Sequence, residues 1–311
     1  MRHRLLAAFR SVETYEEILG MTAEEFADLF SLFHTLKPAV FEHPKHLLWL
    51  IGFCKVNPKR RMVGQTLGPM NTEFEGCSTT IRAYVLRSLD EAPFFRGKFL
   101  APQSRLHPLH SVSGAPPIVR CAADTKPIYA RLKALPEHQH SALYQPKYKL
   151  HVWKLLVVID WLGFIIHYGG LAPGATSELQ VWTSFLPDWL LPGELVAWDG
   201  GLTPSAPFAY TPPNVYDIQN NPQLSFVCAW FSFYRGRVEH VNHLINSWGI
   251  LRECRIDYHK LENATVFCME ITAWLQKRRP IRYPPHLCPV PDDWNYHPSE
   301  HFLRNPTALE S

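Results

Sequence analysis

Along VETYEEILGMTAEEFADLFSLFHTL (residues 12–36), Phe26, Leu29, Phe30 and Phe33 recur at helical spacing. Thr22 with Glu25 three residues later fits a capping box. The pattern predicts a helix with one buried face. HLLWLIGFCKV predicts a second helix ending near Pro58. Beyond the basic residues Lys55, Lys59, Arg60 and Arg61, a third stripe follows a Ser78 or Thr79 cap: Ile81, Tyr84, Val85 and Leu89. Thr80, Arg82 and Arg87 would then face outward. From Met62 to Leu89 the order is short helix, turn, longer helix, a candidate helix-turn-helix with Arg82 and Arg87 as DNA contacts. The alternative is a helical bundle with a polar face, since the turn is longer than usual.

Residues 92–117 are rich in Pro, Ser, His and Gly and read as a connecting segment, with His107 and His110 in solvent. The pattern then becomes extended. PIVRCAAD predicts a buried strand ending at Asp124. KYKLHVWKLLVVID predicts a long strand, and WLGFIIHYGG its antiparallel partner through a tight turn at Gly163. Asp160 reads as a residue of that turn. APGATSELQVWTSFL predicts a loop and a helix capped by Thr176 or Ser177. ELVAWD is a further strand, and FAYTPP a short one stopped by its prolines. SFYRGRVEHVNHLINSWGIL and NATVFCMEITAWLQKRR predict the last two helices. The fold class is α/β, a mixed sheet flanked by helices with a helical N-terminal region. The expected divisions are 1–95 (helical), 96–115 (linker), 116–276 (sheet domain) and 277–311 (a proline-dense tail unsuited to regular helix).

Composition narrows the function classes. Hydrophobic residues make up 46% and charged residues 19% of the 311 positions, a globular balance that excludes a wholly disordered chain. A net charge of +3 permits a nucleic-acid partner without demanding one. The seven cysteines form no CxxC and no zinc spacing with histidine, which fits a reduced intracellular chain. The N-terminal apolar run is too short for a signal peptide, and KLLVVIDWLGFII is broken by Asp160 and Gly163, so no membrane partner is expected. The sequon at Asn263 is taken as chance.

Three acids stand out: Asp124 and Asp199 directly after apolar strands, and Glu239 beside the helical stripe Val238, Val241, Ile245 and Trp248. Carboxylates are the hard oxygen ligands that divalent cations accept, and two strand ends and a helix can converge on one point. Surface acids and N-caps are the ordinary alternative for any three of the chain's 28 acids.

Residues from about Pro116 to Trp274 resemble the DDE-type transposase domain of the PIF/Harbinger class, which includes Harbinger-derived nuclease-like proteins. The resemblance rests on CAADTKPIY, on YQPKYKLHVWKLLVVIDWLGFIIH, on PGATSE, on AWDGGL and on RGRVEHVNHLINSWGIL, in that order over roughly half the chain. No one motif is highly specific; their order and spacing are. The resemblance implies an RNase H-like fold and a catalytic, metal-binding triad of Asp124, Asp199 and Glu239 that takes two Mg²⁺ or Mn²⁺. It implies cleavage, and joining, of DNA phosphodiesters, and a nuclear location in a eukaryote. Lys126, Lys147, Lys149, Arg235 and Arg237 become candidate phosphate contacts, with ordinary solvated charge as the alternative. Candidate partners are DNA, a separate DNA-binding protein of the kind such elements often encode, and a second copy of the chain in a homodimer. The chain departs from the family at Glu178, Leu202 and Thr125, where Asp, Tyr and Gly are usual. His240 and His243 flank Glu239, with packing as their expected role. Two other functions compete: a domesticated DNA-binding protein with little or no catalysis, and a protein–protein adaptor acting through the helical N-terminus and the tail.

Overall fold

The structure, a computed structural model, describes residues 19–58, 78–106, 119–131, 137, 140–198, 206, 208–213, 215–222 and 224–279. Helix α1 spans Ala23–Leu36, and its capping box is complete: the Glu25 amide donates to Thr22 Oγ1 at 3.2 Å and the Thr22 amide to Glu25 Oε2 at 2.7 Å. Helix α2 (Pro44–Val56) starts on Pro44 and stops at Asn57, whose φ of 48° is left-handed. It buries every residue from 47 to 54, as a helix apolar on all sides must. Helix α3 (Ser78–Asp90) buries Ile81, Val85 and Leu89. Thr80 and Arg87 are exposed as expected, but Arg82 is half-buried. Residues 62–77 of the helix-turn-helix candidate lie outside the described residues.

Strand β1 (Val119–Ala130) is longer than expected, so Asp124 sits inside it and not at its end. A four-residue turn of helix, α4 (His140–Leu143), leads to β2 (Tyr144–Gln145) and to the long β3 (Leu150–Asp160). Gly163, at φ +85°, turns the chain into β4 (Ile165–Pro173). Asp160 is buried and its Oδ1 accepts the amides of Leu162 at 3.0 Å and Phe164 at 2.9 Å, which makes it the expected turn residue. Helix α5 (Glu178–Phe185) is capped by Ser177, and β5 (Leu195–Trp198) and β6 (Ala209–Tyr210) follow. Helix α6 (Val215–Asn220) was not expected, and α7 (Leu224–Asn246) begins well before Ser232. Its expected end is a separate turn of helix, α8 (Gly249–Arg252), followed by β7 (Glu253–Cys254) and α9 (Tyr258–Arg278).

The strands form a seven-stranded mixed sheet with the path β2-β3-β1-β5-β6; β4 pairs with β3 and β7 with β1. Read across the longer strands, the order is β4-β3-β1-β5-β6. Strands β3 and β4 are antiparallel; β5 runs parallel to β1, and β6 parallel to β5. No described helix is long and apolar enough to cross a membrane.

The chain divides into two compact units that are not contiguous in sequence, unlike the linear division expected above. One holds the described residues up to Lys98, those of 129–137, and Ile245–Ile271. Its core is aromatic: Phe33 stacks on Phe95 at 4.3 Å and meets Phe41 and Phe267 edge-on at 5.1 and 5.8 Å. Gly249 lets α8 approach the end of α2, because a Cβ there would lie 2.5 Å from the Lys55 carbonyl oxygen. Asn57 fixes the junction by donating to the carbonyls of Gly249 at 3.2 Å and Glu253 at 2.6 Å. His46, stacked on Tyr84 at 4.2 Å, has its pKa lowered to about 4 by burial and then by Lys45, His43 and Arg87.

The other unit holds Phe99–Ile128, the described residues of 138–244, and those from Thr272 onward. One face of its sheet packs under α5. Cys121, Ala123, Leu156, Val158, Val196 and Trp198 join Val181 and Trp182 there, with the two indoles 4.9 Å apart. Part of the expected linker is structural. Residues Pro102–Leu106 form a 3₁₀ turn whose Arg105 is buried. Its guanidinium donates to both carboxylate oxygens of buried Glu194, at 2.7 and 2.8 Å, and to the Trp189 carbonyl at 3.1 Å, and lies 3.9 Å over the Trp189 ring. His107 and His110 lie outside the described residues.

Arg105→Ala leaves Glu194 as a buried charge without its partner and should destabilise the protein by about 3–5 kcal/mol. The double change Arg105→Met with Glu194→Leu should cost clearly less; chemical denaturation measures both. Protonation of His46 favours the unfolded chain between about pH 6.5 and about pH 4, because its folded pKa is the lower one. Thermal stability should therefore fall as pH drops through that window, and His46→Gln should lose less than the wild type over the same range.

Candidate active site

Alternation along β1 puts Cys121 and Ala123 under α5 and turns Ala122, Asp124 and Lys126 to the other face. The β5 register is Ala122 with Ala197 and Ala123 with Trp198, where β5 ends. The next residue in the chain, Asp199, lies outside the described residues, as does Leu202. Asp124 is half-buried and both its oxygens are engaged: Oδ1 accepts the Thr125 amide at 2.7 Å, and Oδ2 accepts the Asn242 side-chain amide at 3.1 Å. An ionised carboxylate only accepts, so the nitrogen of the Asn242 amide is the atom that faces it. The Asn242 Oδ1 is sealed from solvent with no hydrogen-bond partner among the described residues.

Asn242 belongs to α7, three residues after Glu239. On a helix such residues are neighbours, with Cβ atoms about 5–6 Å apart. Glu239 is thus one turn from the side chain that touches Asp124. It is exposed, between buried Val238 and Val241, and so more open to solvent than its place beside the apolar stripe implied. His240 and His243 are exposed, which removes their expected packing role. Asn242 was missed as a site residue. Its signal was a polar residue adjoining the stripe of Val238, Val241 and Ile245, where an apolar one would serve packing.

The candidate cations divide. Lys126 is buried, with its Nζ 3.4 Å from the Pro127 carbonyl, and burial lowers its pKa to about 8. Arg237 is buried as well. Neither is an ordinary solvated charge. Lys147 and Lys149 are exposed on the turn between β2 and β3, which is closed by amide donation from Tyr148 to the Gln145 carbonyl and from Lys149 to the Pro146 carbonyl, each at 3.2 Å. The Lys147 ammonium lies 5.7 Å from the Tyr148 ring centroid. Arg235 is on α7, with its side chain outside the described residues. Glu178 opens α5, where an acid suits the helix dipole.

The donors that β1 and α7 bring are all oxygen: the Asp124 carboxylate, the amide oxygen of Asn242 and, one helical turn from Asn242, the Glu239 carboxylate. Hard oxygens of this kind fit Mg²⁺ or Mn²⁺, and a sealed acceptor with no donor is a feature that a hydrated cation satisfies. Among the described residues, which lack Asp199, no group of three or more His, Cys, Asp and Glu is arranged to hold a metal ion. The five described cysteines Cys54, Cys121, Cys228, Cys254 and Cys268 are free thiols. No protein-family model, no curated protein and no solved structure matches the chain.

Proposed function

We propose that the chain is a metal-dependent DNA endonuclease or transposase of the DDE type, related to the PIF/Harbinger class and built on an RNase H-like sheet. The observation that carries this reading is the hydrogen bond from Asn242 to Asp124. It brings the helix of Glu239 to the face of β1 that bears Asp124. Two further facts support it. Strand β5 ends in register with Ala123, directly before Asp199 in sequence. The order β4-β3-β1-β5-β6, with β3 and β4 antiparallel and β1, β5 and β6 parallel, is the kind of mixed sheet such a domain needs.

In this reading Asp124, Asp199 and Glu239 would hold Mg²⁺ or Mn²⁺. The chemistry supplied there is activation of water or a DNA 3′-hydroxyl and stabilisation of the leaving oxygen. The chain's own residues do the rest. The Thr125 amide and Asn242 fix the Asp124 carboxylate. Lys126 offsets the negative charge gathered on that face. The exposed Lys147 and Lys149 meet the phosphate backbone, which positions DNA without reading its sequence.

Asp199→Asn keeps the side-chain shape and removes the charge that a hard cation requires. It should abolish Mg²⁺-dependent nicking of supercoiled DNA while leaving DNA binding and the metal-free melting temperature unchanged or slightly raised, since an acid cluster repels itself. Equal cutting by wild type and variant would dismiss the assigned site. If neither cuts with Mg²⁺ or Mn²⁺ yet both bind DNA, the domesticated DNA-binding protein is the better reading, as the departures at Thr125, Glu178 and Leu202 would suggest. Replacing Lys147 and Lys149 together with Ala should flatten the plot of log affinity against log salt by up to about two. An unchanged slope would take this turn out of the DNA path.

A further inference from the structure

We propose that Asn242 is a positioning residue of the acid site: its amide N–H fixes one oxygen of Asp124, and its buried amide oxygen receives a water of the hydrated divalent cation held by Asp124 and Glu239. The inference rests on the metal-dependent reading above and adds a residue that the triad does not contain.

Three observations converge on it. The Asn242 nitrogen donates to Asp124 Oδ2 at 3.1 Å, while the Thr125 amide takes Oδ1 at 2.7 Å. The carboxylate is thereby held at both oxygens, in one orientation. Asn242 also lies one helical turn from Glu239, so a single element carries both the second acid and the clamp on the first. Last, the Asn242 Oδ1 is sealed from solvent without a partner among the described residues. A buried acceptor left without a donor is costly, and native structures retain few of them without a reason.

The alternative of a packing residue accounts for the first contact and not for the third. Leucine has nearly the same shape and would fill the position with no orphaned oxygen. A hydrated cation offers positive charge to the carboxylate and a water O–H to the amide oxygen. Partners of metal-binding side chains of this kind hold the ligand's orientation, and their loss typically weakens affinity 10–100-fold.

The test uses the full chain, with Mn²⁺ alone as the probe. Free Mn²⁺ is followed by its electron paramagnetic resonance signal, and thermal melting is recorded with and without Mn²⁺. Asn242→Leu removes both polar atoms and should weaken Mn²⁺ binding about tenfold or more, with little loss of metal-free melting temperature. Asn242→Asp keeps the oxygens and removes the donor. It should melt lower than wild type without metal, because two carboxylates then face each other, and Mn²⁺ should restore it, with affinity equal to or above wild type. Wild-type affinity in Asn242→Leu would overturn the proposal while leaving the metal site standing. If that variant does not fold, Asn242→Asp decides: a loss of stability that Mn²⁺ fails to restore marks a purely structural residue. If the wild type itself takes up no Mn²⁺ at millimolar concentration, the metal-dependent reading falls and this inference falls with it.

Discussion

The register of β1 against β5 is the constraint on which the site side of this protein depends. With Ala122 opposite Ala197 and Ala123 opposite Trp198, Cys121 and Ala123 meet the apolar layer under α5. Asp124 then falls on the opposite face. A shift of one residue exchanges the two faces of a strand. It would turn Asp124 toward the apolar layer of Val181, Trp182 and Trp198 and bury its charge there. The cost of such a burial is several kcal/mol, a large part of the stability of an ordinary domain. Packing and chemistry therefore select the same register. Neither has to be maintained at the expense of the other.

The same unit repeatedly buries polar groups against named partners. Lys154, within the fully covered part of β3, reaches the Thr176 carbonyl at 2.6 Å. Gln276 donates to the Gly163 carbonyl at 2.9 Å and accepts the Ile165 amide at 3.0 Å, closing the β3–β4 turn from outside the hairpin. Trp161 sends its indole N–H to the Val119 carbonyl at 3.1 Å, at the start of β1. Arg105 and Glu194 satisfy each other just before β5 begins. These bonds are directional, so they specify where the strand ends lie more sharply than apolar contact does. The Asn242 oxygen departs from this pattern, as do the Trp153 Nε1 and Arg237 Nε atoms, and it differs from those two in belonging to the side chain that touches Asp124.

Much of the fold was legible because the signals are local. The capping box at Thr22, the cap at Thr176 or Ser177, the stripe of α3, the run of β3 and the turn at Gly163 each depend on residues within a few positions of one another. The extent of β1 was not legible. The strand was expected to end at Asp124, yet it continues through Lys126 and Pro127 to Ala130. β5 ends opposite Ala123, so no amide is required from Pro127 on that edge. Two-residue strands such as β7 carry no pattern at all. Arg105 was lost in a stretch of Pro and Ser, because its role is set by Glu194 far along the chain. Asp124 and Glu239 were chosen from sequence by resemblance. The contact of Asn242 with Asp124 is a fact of tertiary packing that spacing alone does not encode.

The two described acids of the proposed site differ in a way that bears on how it works. Asp124 sits on a strand, half-buried, with both oxygens held by amides. Its orientation is set before any ligand arrives, and little entropy remains to be lost. Glu239 is exposed on a helix, with a longer side chain. Ordering such a side chain costs up to about 1.5–2 kcal/mol. In the proposed site, a cation would therefore be located by Asp124, and binding it would add the cost of ordering the Glu239 side chain, which a second strand-borne acid would not carry. Asp124 is the member whose place the strand register and Asn242 control, and Glu239 is the member that solvent reaches.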